Sequence, residues 1–297
     1  MAKKSIFATI AMAGASALLL AGCASGTTDN NADQSGVDAA AAALLPQAYK
    51  DAGVVKVGSD IPYAPMEYFD ADGTTVTGFD YDLAQLLGKK LGVTFQFNKT
   101  SFDGIIPSID AGTNDVAISG MSDTVERQAK LTFVDYFLSG SSLVINKGNP
   151  DGVTDLASLC GKTALIETAT VQGDTLKAVD CGDKPAIEVL SFPDVPTTLN
   201  ALRAKKGVAF LIDSPVAADA ARTAGGGKYF ELAVDPANPA GYEPGYFGIG
   251  VKNGDKLADA IKAALDSAIA DGSYAATLKK YNLDTFGVTE ATINGTK

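Results

Sequence analysis

The chain contains no histidine and no tryptophan, and its 297 residues include three cysteines. Without histidine, no Ser-His-Asp or Cys-His nucleophile can be assembled, because the base that takes the nucleophile's proton is missing. Zinc is held by His, Cys and carboxylate groups, so this composition argues against a zinc site, and no metal or cofactor is expected. Basic residues are also scarce, with 24 Lys and Arg against 35 Asp and Glu, a formal net charge of −11. Such a surface repels phosphate backbones and anionic headgroups, which argues against a nucleic-acid partner. Beyond the first twenty residues, no apolar run is long enough to cross a bilayer.

What the sequence does have begins at its first residues. Lys3 and Lys4 precede an apolar or small run, Ile6 to Leu20, of the length of a signal h-region and too short to span a membrane comfortably. The run ends in Leu20-Ala21-Gly22-Cys23, which resembles the bacterial lipobox. Residues 1–22 are therefore expected to be a signal peptide, and Cys23 the lipidated first residue of a chain anchored on the extracytoplasmic face. The membrane would be touched only through that lipid. The alternative is an ordinary signal peptide with an incidental Cys23. Without residues 1–22 the chain keeps 22 basic and 35 acidic residues, a net −13. Residues 23–44 are small and polar, with no apolar period, and read as a flexible tether. Cys160 and Cys181 remain as an even pair, which an oxidising compartment favours joining as a disulfide over leaving as two thiols.

Roughly 250 residues then form one large or two modest domains. Strand-like runs such as VVKVGSD (54–60), VTFQF (93–97), TALIE (163–167) and VAFLID (208–213) alternate with amphipathic segments. In FDYDLAQLLGKKLG (79–92), Leu83, Leu86, Leu87 and Leu91 share one face and Gly92 closes the helix. A further helix is predicted over 124–131, with Asp123 and Glu126 as its capping box. Repeated alternation implies an α/β fold with parallel sheets flanked by helices, and the pattern restarts near residue 143, implying two lobes.

Several polar residues share a location. Asp60, the Ser119–Ser122 stretch, Glu167 and Asp213 all stand at the carboxyl ends of predicted strands. In open α/β sheets ligands bind at that edge. Taken singly, each position reads as a helix cap. Four of them, divided between two lobes, point to a cleft.

The same residues carry a resemblance. VGSDIPYAPMEYFDADGTTVTGFDYDLAQLLGKKLG, FDGIIPSIDAG and ISGMSDTVERQAKLTFVDYF resemble the bacterial extracellular solute-binding proteins of family 3, receptors of polar-amino-acid ABC importers. The likeness runs from about Val54 to Tyr281 and is most specific at SGM-S-x-T-x-E-R. It implies a two-lobe fold like that of periplasmic binding proteins, with residues 45–140 and 245–297 in lobe 1 and residues 141–244 in lobe 2. A two-stranded hinge near 139–143 and 241–247 would let the lobes close on an amino acid. It also implies a monomer that does no chemistry and delivers its ligand to a membrane permease.

Carried onto this chain, the resemblance places Arg127 on the ligand α-carboxylate, with help from Ser122 and the loop of Ser119, Gly120 and Met121. A guanidinium matches a carboxylate as a bidentate fork, and a glycine lets the backbone approach closely. Asp213 would take the α-ammonium, Tyr63 and Phe102 would sandwich the side chain, and Asp60 would reach its end. Thr170, at a helix N-terminus in lobe 2, would help hold the carboxylate. The loop IETATVQ departs from the family pattern, with Ala169 and Val171 where glycine or small hydroxyl residues are usual, and with an unusual Glu167. Once Arg127 and Asp213 have matched a zwitterion, Asp60 and Glu167 are left over. That favours a cationic ligand such as arginine, lysine or ornithine, since unpaired buried carboxylates are costly. The alternative is a neutral ligand such as glutamine, with Glu167 turned to solvent or capping the helix after it. Two other readings are a dehydratase on the same scaffold using Glu167 as general acid, and a ligand sensor.

Overall fold

A helix that returns the chain to the same sheet edge makes successive strands parallel. A computed structural model describing residues 36–296 follows that rule twice. In the first lobe, helices α1 (Ala39–Leu44) and α2 (Gln47–Ala52) lead into strand β1 (Val54–Ser59). A small hairpin of β2 (Tyr68–Phe69) and β3 (Val76–Thr77) follows, then α3 (Phe79–Leu91), β4 (Thr94–Lys99), α4 (Phe102–Asp110) and β5 (Val116–Ala117). β1 lies between β4 and β5 and is parallel to both, with Val57 beside Phe97 and Val116. After a four-residue helix, α5 (Val125–Gln128), the 16-residue strand β6 (Leu131–Asn146) carries the chain into the second lobe.

There the order is β7 (Thr163–Glu167), α6 (Gln172–Lys177), β8 (Glu188–Phe192), α7 (Val195–Arg203), β9 (Ala209–Asp213), α8 (Ser214–Thr223) and β10 (Phe230–Leu232). β7 is parallel to β8 and β9. Strand β11 (Tyr242–Lys252) returns to the first lobe, which ends in α9 (Leu257–Ala270), α10 (Ser273–Lys280) and β12 (Gly287–Ile293). The strands run β4-β1-β5-β11-β6-β9-β7-β8.

The two lobes are thus joined by β6 and β11. The first half of β6 pairs with β11, Val134 opposite Ile249, and its second half with β9, Ser141 opposite Asp213. At the crossing the backbones nearly touch: a Cβ on Gly140 would lie 2.6 Å from the Ala240 carbonyl oxygen, so only glycine fits. In each lobe three neighbouring strands are parallel, as expected, and the antiparallel pairs of this sheet involve the crossing strands β6 and β11. The reason is topological. β6 leaves the first lobe where β11 enters it, so the pair must be antiparallel.

Both faces of each sheet are covered, which is why the strands read as nearly continuous apolar runs. Leu83 and Leu87 of α3 and Ile261 and Leu265 of α9 pack on Val55, Val57 and Ile249. Ile105 and Ile109 of α4 cover the opposite face with Ala117, Leu131 and Phe133. In the second lobe Leu165 and Phe210 pack with Leu202 and Val216, while Leu143, Ile166, Leu176 and Leu211 form the other layer. Cys160 and Cys181 are disulfide-bonded, Cα to Cα 5.5 Å.

Two local expectations fail. The expected tether 23–44 ends earlier, because Asp38 accepts the Ala40 and Ala41 amides and caps α1, whose Ala41 is buried. Ser267 of α9 also donates to Asp38, at 2.6 Å. A run of alanines looks featureless, yet alanine is the strongest helix former and lets helices approach closely. The predicted helix 124–131 shrinks to α5, because Leu131 and Phe133 are drawn into the core as β6. Its N-cap is Thr124, which accepts the Arg127 amide at 3.2 Å, and not Asp123, which instead accepts Gln128 and the Thr296 amide. The predicted signal peptide and Cys23 lie outside the described residues. Among the described residues no helix is long and apolar enough to cross a membrane.

Candidate functional site

Asp213 ends β9 at the N-cap position of α8, yet its side chain caps nothing. It accepts instead from the Tyr63 hydroxyl of the first lobe and from Gln172 Nε2 at 2.8 Å. Gln172 also donates to Ser141 Oγ at 3.0 Å. Burial raises the Asp213 carboxyl to about 6, against the lowering by Tyr63, Arg127 and Gln172. Tyr63 can reach across because Gly120 leaves room: at φ +50 it is left-handed, and a Cβ there would lie 2.9 Å from the Tyr63 ring.

Arg127 makes a second bridge between the lobes. Its Nη1 donates to the Ser122 carbonyl at 2.9 Å and its Nη2 to the Ala169 carbonyl at 3.1 Å. Its guanidinium carbon lies 5.2 Å from the centroid of the Phe102 ring. Ala169 is held at φ +65, a conformation natural to glycine. The departure from the family pattern in this loop therefore coincides with a left-handed backbone position.

Asp60 and Glu167 face one another from opposite lobes. Both are buried, at 5% and 2% exposure. The two carboxyl groups lie within hydrogen-bonding reach of each other, and Glu167 Oε1 is buried with no hydrogen-bond partner. Burial first, and then the neighbouring Asp60, lifts Glu167 to about 10; burial raises Asp60 as well. Two buried carboxyl groups this close favour holding a proton or a positive charge between them. Glu167 neither turns to solvent nor caps a helix. Thr170 Oγ1 donates to the Glu167 carbonyl at 2.8 Å, and α6 begins two residues later, at Gln172.

Next to Asp213 lies a cavity of about 220 Å³, also lined by Ser122, Ser139, Ser141 and Thr296 among others. A wider opening of about 790 Å³ beside it is bordered by Arg127, Ala169 and Thr170. Of the residues singled out in the sequence, Asp60, Tyr63, Ser119, Gly120, Ser122, Arg127, Glu167 and Asp213 come together around the cleft. Met121 does not: its side chain is buried among Ile105, Leu131 and Phe133. The Tyr63 hydroxyl bonds to Asp213, and Phe102 lies under Arg127. Thr170 precedes the start of α6, with its hydroxyl already engaged. Gln172, Ser141 and Thr296 were not legible. Gln172 and Ser141 acquire meaning only from Asp213, and Thr296 reaches the cavity from the far end of the chain. Among the described residues, no group of three or more His, Cys, Asp or Glu is placed to hold a metal ion.

The sequence profile of the bacterial extracellular solute-binding proteins, family 3, matches residues 55–284. The arginine-binding protein ArgT of Corynebacterium glutamicum is 28% identical over 257 residues, spanning 85% of this chain and 82% of its own. The lysine/arginine/ornithine-binding periplasmic protein of Escherichia coli K12 is 31% identical over 231 residues, spanning 76% and 86%. The crystal structure of the ancestral amino acid-binding protein AncCDT-1, a precursor of cyclohexadienyl dehydratase, matches with a TM-score of 0.69. That match has 28% identity and covers 79% of this chain and 97% of that one.

Proposed function

The chain belongs to the bacterial extracellular solute-binding proteins of family 3, and from that membership we propose that it captures a cationic amino acid, such as arginine, lysine or ornithine, for delivery to the permease of an ABC importer. Amino-acid binding is the activity named for its relatives. The charge preference rests on one observation, the Asp60–Glu167 pair that closes across the cleft. Two buried carboxyls facing each other are costly unless a proton or a positive charge lies between them. A guanidinium or ammonium takes that proton's place and pairs with both lobes at once, favouring the closed form. Arg127 takes the α-carboxylate by exchanging its carbonyl partners for a charge-assisted bond. Asp213 takes the α-ammonium beside Tyr63 and Gln172. Opening and closing occur at the β6–β11 crossing, and Cys23 tethers the protein to the extracytoplasmic face of the membrane.

The test is calorimetric titration of refolded, ligand-free protein with arginine, lysine, ornithine, glutamine and glutamate at fixed salt. The cationic amino acids are expected to bind most tightly. Glu167→Gln is expected to reduce the preference for arginine over glutamine by roughly tenfold or more. Glutamine or glutamate binding more tightly than every cationic ligand overturns the charge assignment.

A further inference from the structure

Below the cleft floor of the first lobe lies a second carboxyl pair, Glu67 and Asp80, both with no exposed surface. Asp80 accepts the Gly120 amide at 2.8 Å, and each of its oxygens lies 2.8 Å from the Tyr136 hydroxyl that donates to it. Glu67 Oε1 accepts the Ser119 hydroxyl at 2.6 Å, and the oxygen of that hydroxyl accepts the Asp60 amide at 2.9 Å. A continuous chain of bonds therefore runs from Asp80 and Glu67 to the backbone of Gly120 and Asp60, which form the cleft. One atom is left over. Glu67 Oε2 is buried without a conventional donor, and Glu67 lies in hydrogen-bonding reach of Asp80.

Two carboxyls can bond only if one keeps its proton. Asp80 already accepts from two donors, whereas Glu67 Oε2 has none, so the proton belongs on Glu67. The charged groups acting on Glu67 are Asp80 and Asp60, both acidic, and two buried anions without a cation are costly. Tyr63 and Tyr136 also lie within the influence of Glu67, and neither offers positive charge.

We propose that Glu67 is a neutral acid and the positioning residue of the cleft floor: Oε2–H donates to Asp80, Oε1 holds Ser119 and through it Asp60, and Asp80 holds Gly120. Burial, its leading cause, holds Glu67 well above the carboxylate range, and raises Asp80 to about 6. The assignment requires that Asp60 and Gly120 line the cleft, as in the reading above, but not that the ligand be cationic.

The roles are asymmetric, and that makes them testable. In Glu67→Gln an amide N–H replaces the acid O–H toward Asp80, and the amide oxygen still accepts from Ser119. In Asp80→Asn one acceptor oxygen becomes a donor and faces other donors. Infrared spectroscopy of the ligand-free protein at neutral pH, compared in H₂O and D₂O, reads the C=O stretch of neutral carboxylic acids. Glu67→Gln is expected to remove one such band. Glu167→Gln is expected to remove a different one, and saturation with arginine to remove only the latter. In titrations with arginine, Glu67→Ala and Asp80→Asn are expected to lose more than about tenfold in affinity, with Glu67→Gln restoring most of the loss. The absence of a band change in Glu67→Gln, or a loss in that variant as large as in Glu67→Ala, overturns the proposal. If Glu67→Ala or Asp80→Asn does not fold, or arginine does not bind, the band change in Glu67→Gln alone decides.

Discussion

At the scale of single residues, the site is recognisable by side chains that decline an easier local bond. Asp213 stands where a helix cap belongs and bonds elsewhere. Glu167 leads toward a helix and faces Asp60 instead. Gly120 shows how narrow the tolerances are. An L-residue in its left-handed conformation costs about 1–2 kcal/mol, and a Cβ would press on the Tyr63 ring at 2.9 Å. Gly120→Ala is therefore expected to lower stability by ~1–2 kcal/mol in chemical denaturation. It should also weaken amino-acid binding, because Tyr63 must move away from Asp213. Unchanged denaturation midpoint and affinity in this variant would show that the Tyr63 contact tolerates the added methyl group.

At the scale of elements, a disulfide fastens the second lobe. Cys160 follows a short turn before β7, and Cys181 follows α6, so the bond clamps a strand and its helix together. The two cysteines are 21 residues apart. Closing a loop of that size in the unfolded chain stabilises by ~3 kcal/mol in the chain-entropy view. The double variant Cys160→Ser, Cys181→Ser is expected to unfold at correspondingly lower denaturant, with a larger effect on probes in lobe 2. A midpoint equal to that of the oxidised parent would refute a stabilising role for this bond.

At the scale of the whole molecule, buried acids govern the response to pH. Asp80, Asp135 and Asp213 are each raised from 3.8 to about 6, and Glu167 from 4.5 to about 10, with burial the leading cause throughout. A raised acid keeps its proton longer in the folded state than in the unfolded one. Stability is then greatest below the unfolded pKa and declines as pH rises through the folded pKa. Surface acids act in a different window. Asp72, held by Thr75, and Asp271, held by Lys90, are lowered to about 2, and their contribution is lost as pH falls from 3.8 toward that value. The ligand-free protein is therefore expected to melt highest in mildly acidic solution, near pH 4–5, and progressively lower toward neutral and alkaline pH. Saturation with a cationic amino acid should move that optimum toward neutrality, because the ligand replaces the proton between Asp60 and Glu167. A ligand-free melting temperature that rises steadily from about pH 5 to 8 is the contrary result.

Much of this was legible in the sequence because it depends on local chemistry. Apolar period and turn residues specify α3 with Gly92 at its end, and strand-helix alternation specifies two lobes of parallel strands. The carboxyl ends of β1, β7 and β9 mark Asp60, Glu167 and Asp213 before any contact is known. Other features depend on what residues far apart in sequence do to one another, and only the tertiary structure decided them. α1 exists because α3 and α9 supply a surface for its alanines. α5 is short because the core claims Leu131. Met121 is interior because α4 packs over it. The protonation of Glu67 and Glu167 belongs to the same class, for a carboxyl has no shifted pKa until a fold removes its water and brings a second carboxyl to its side.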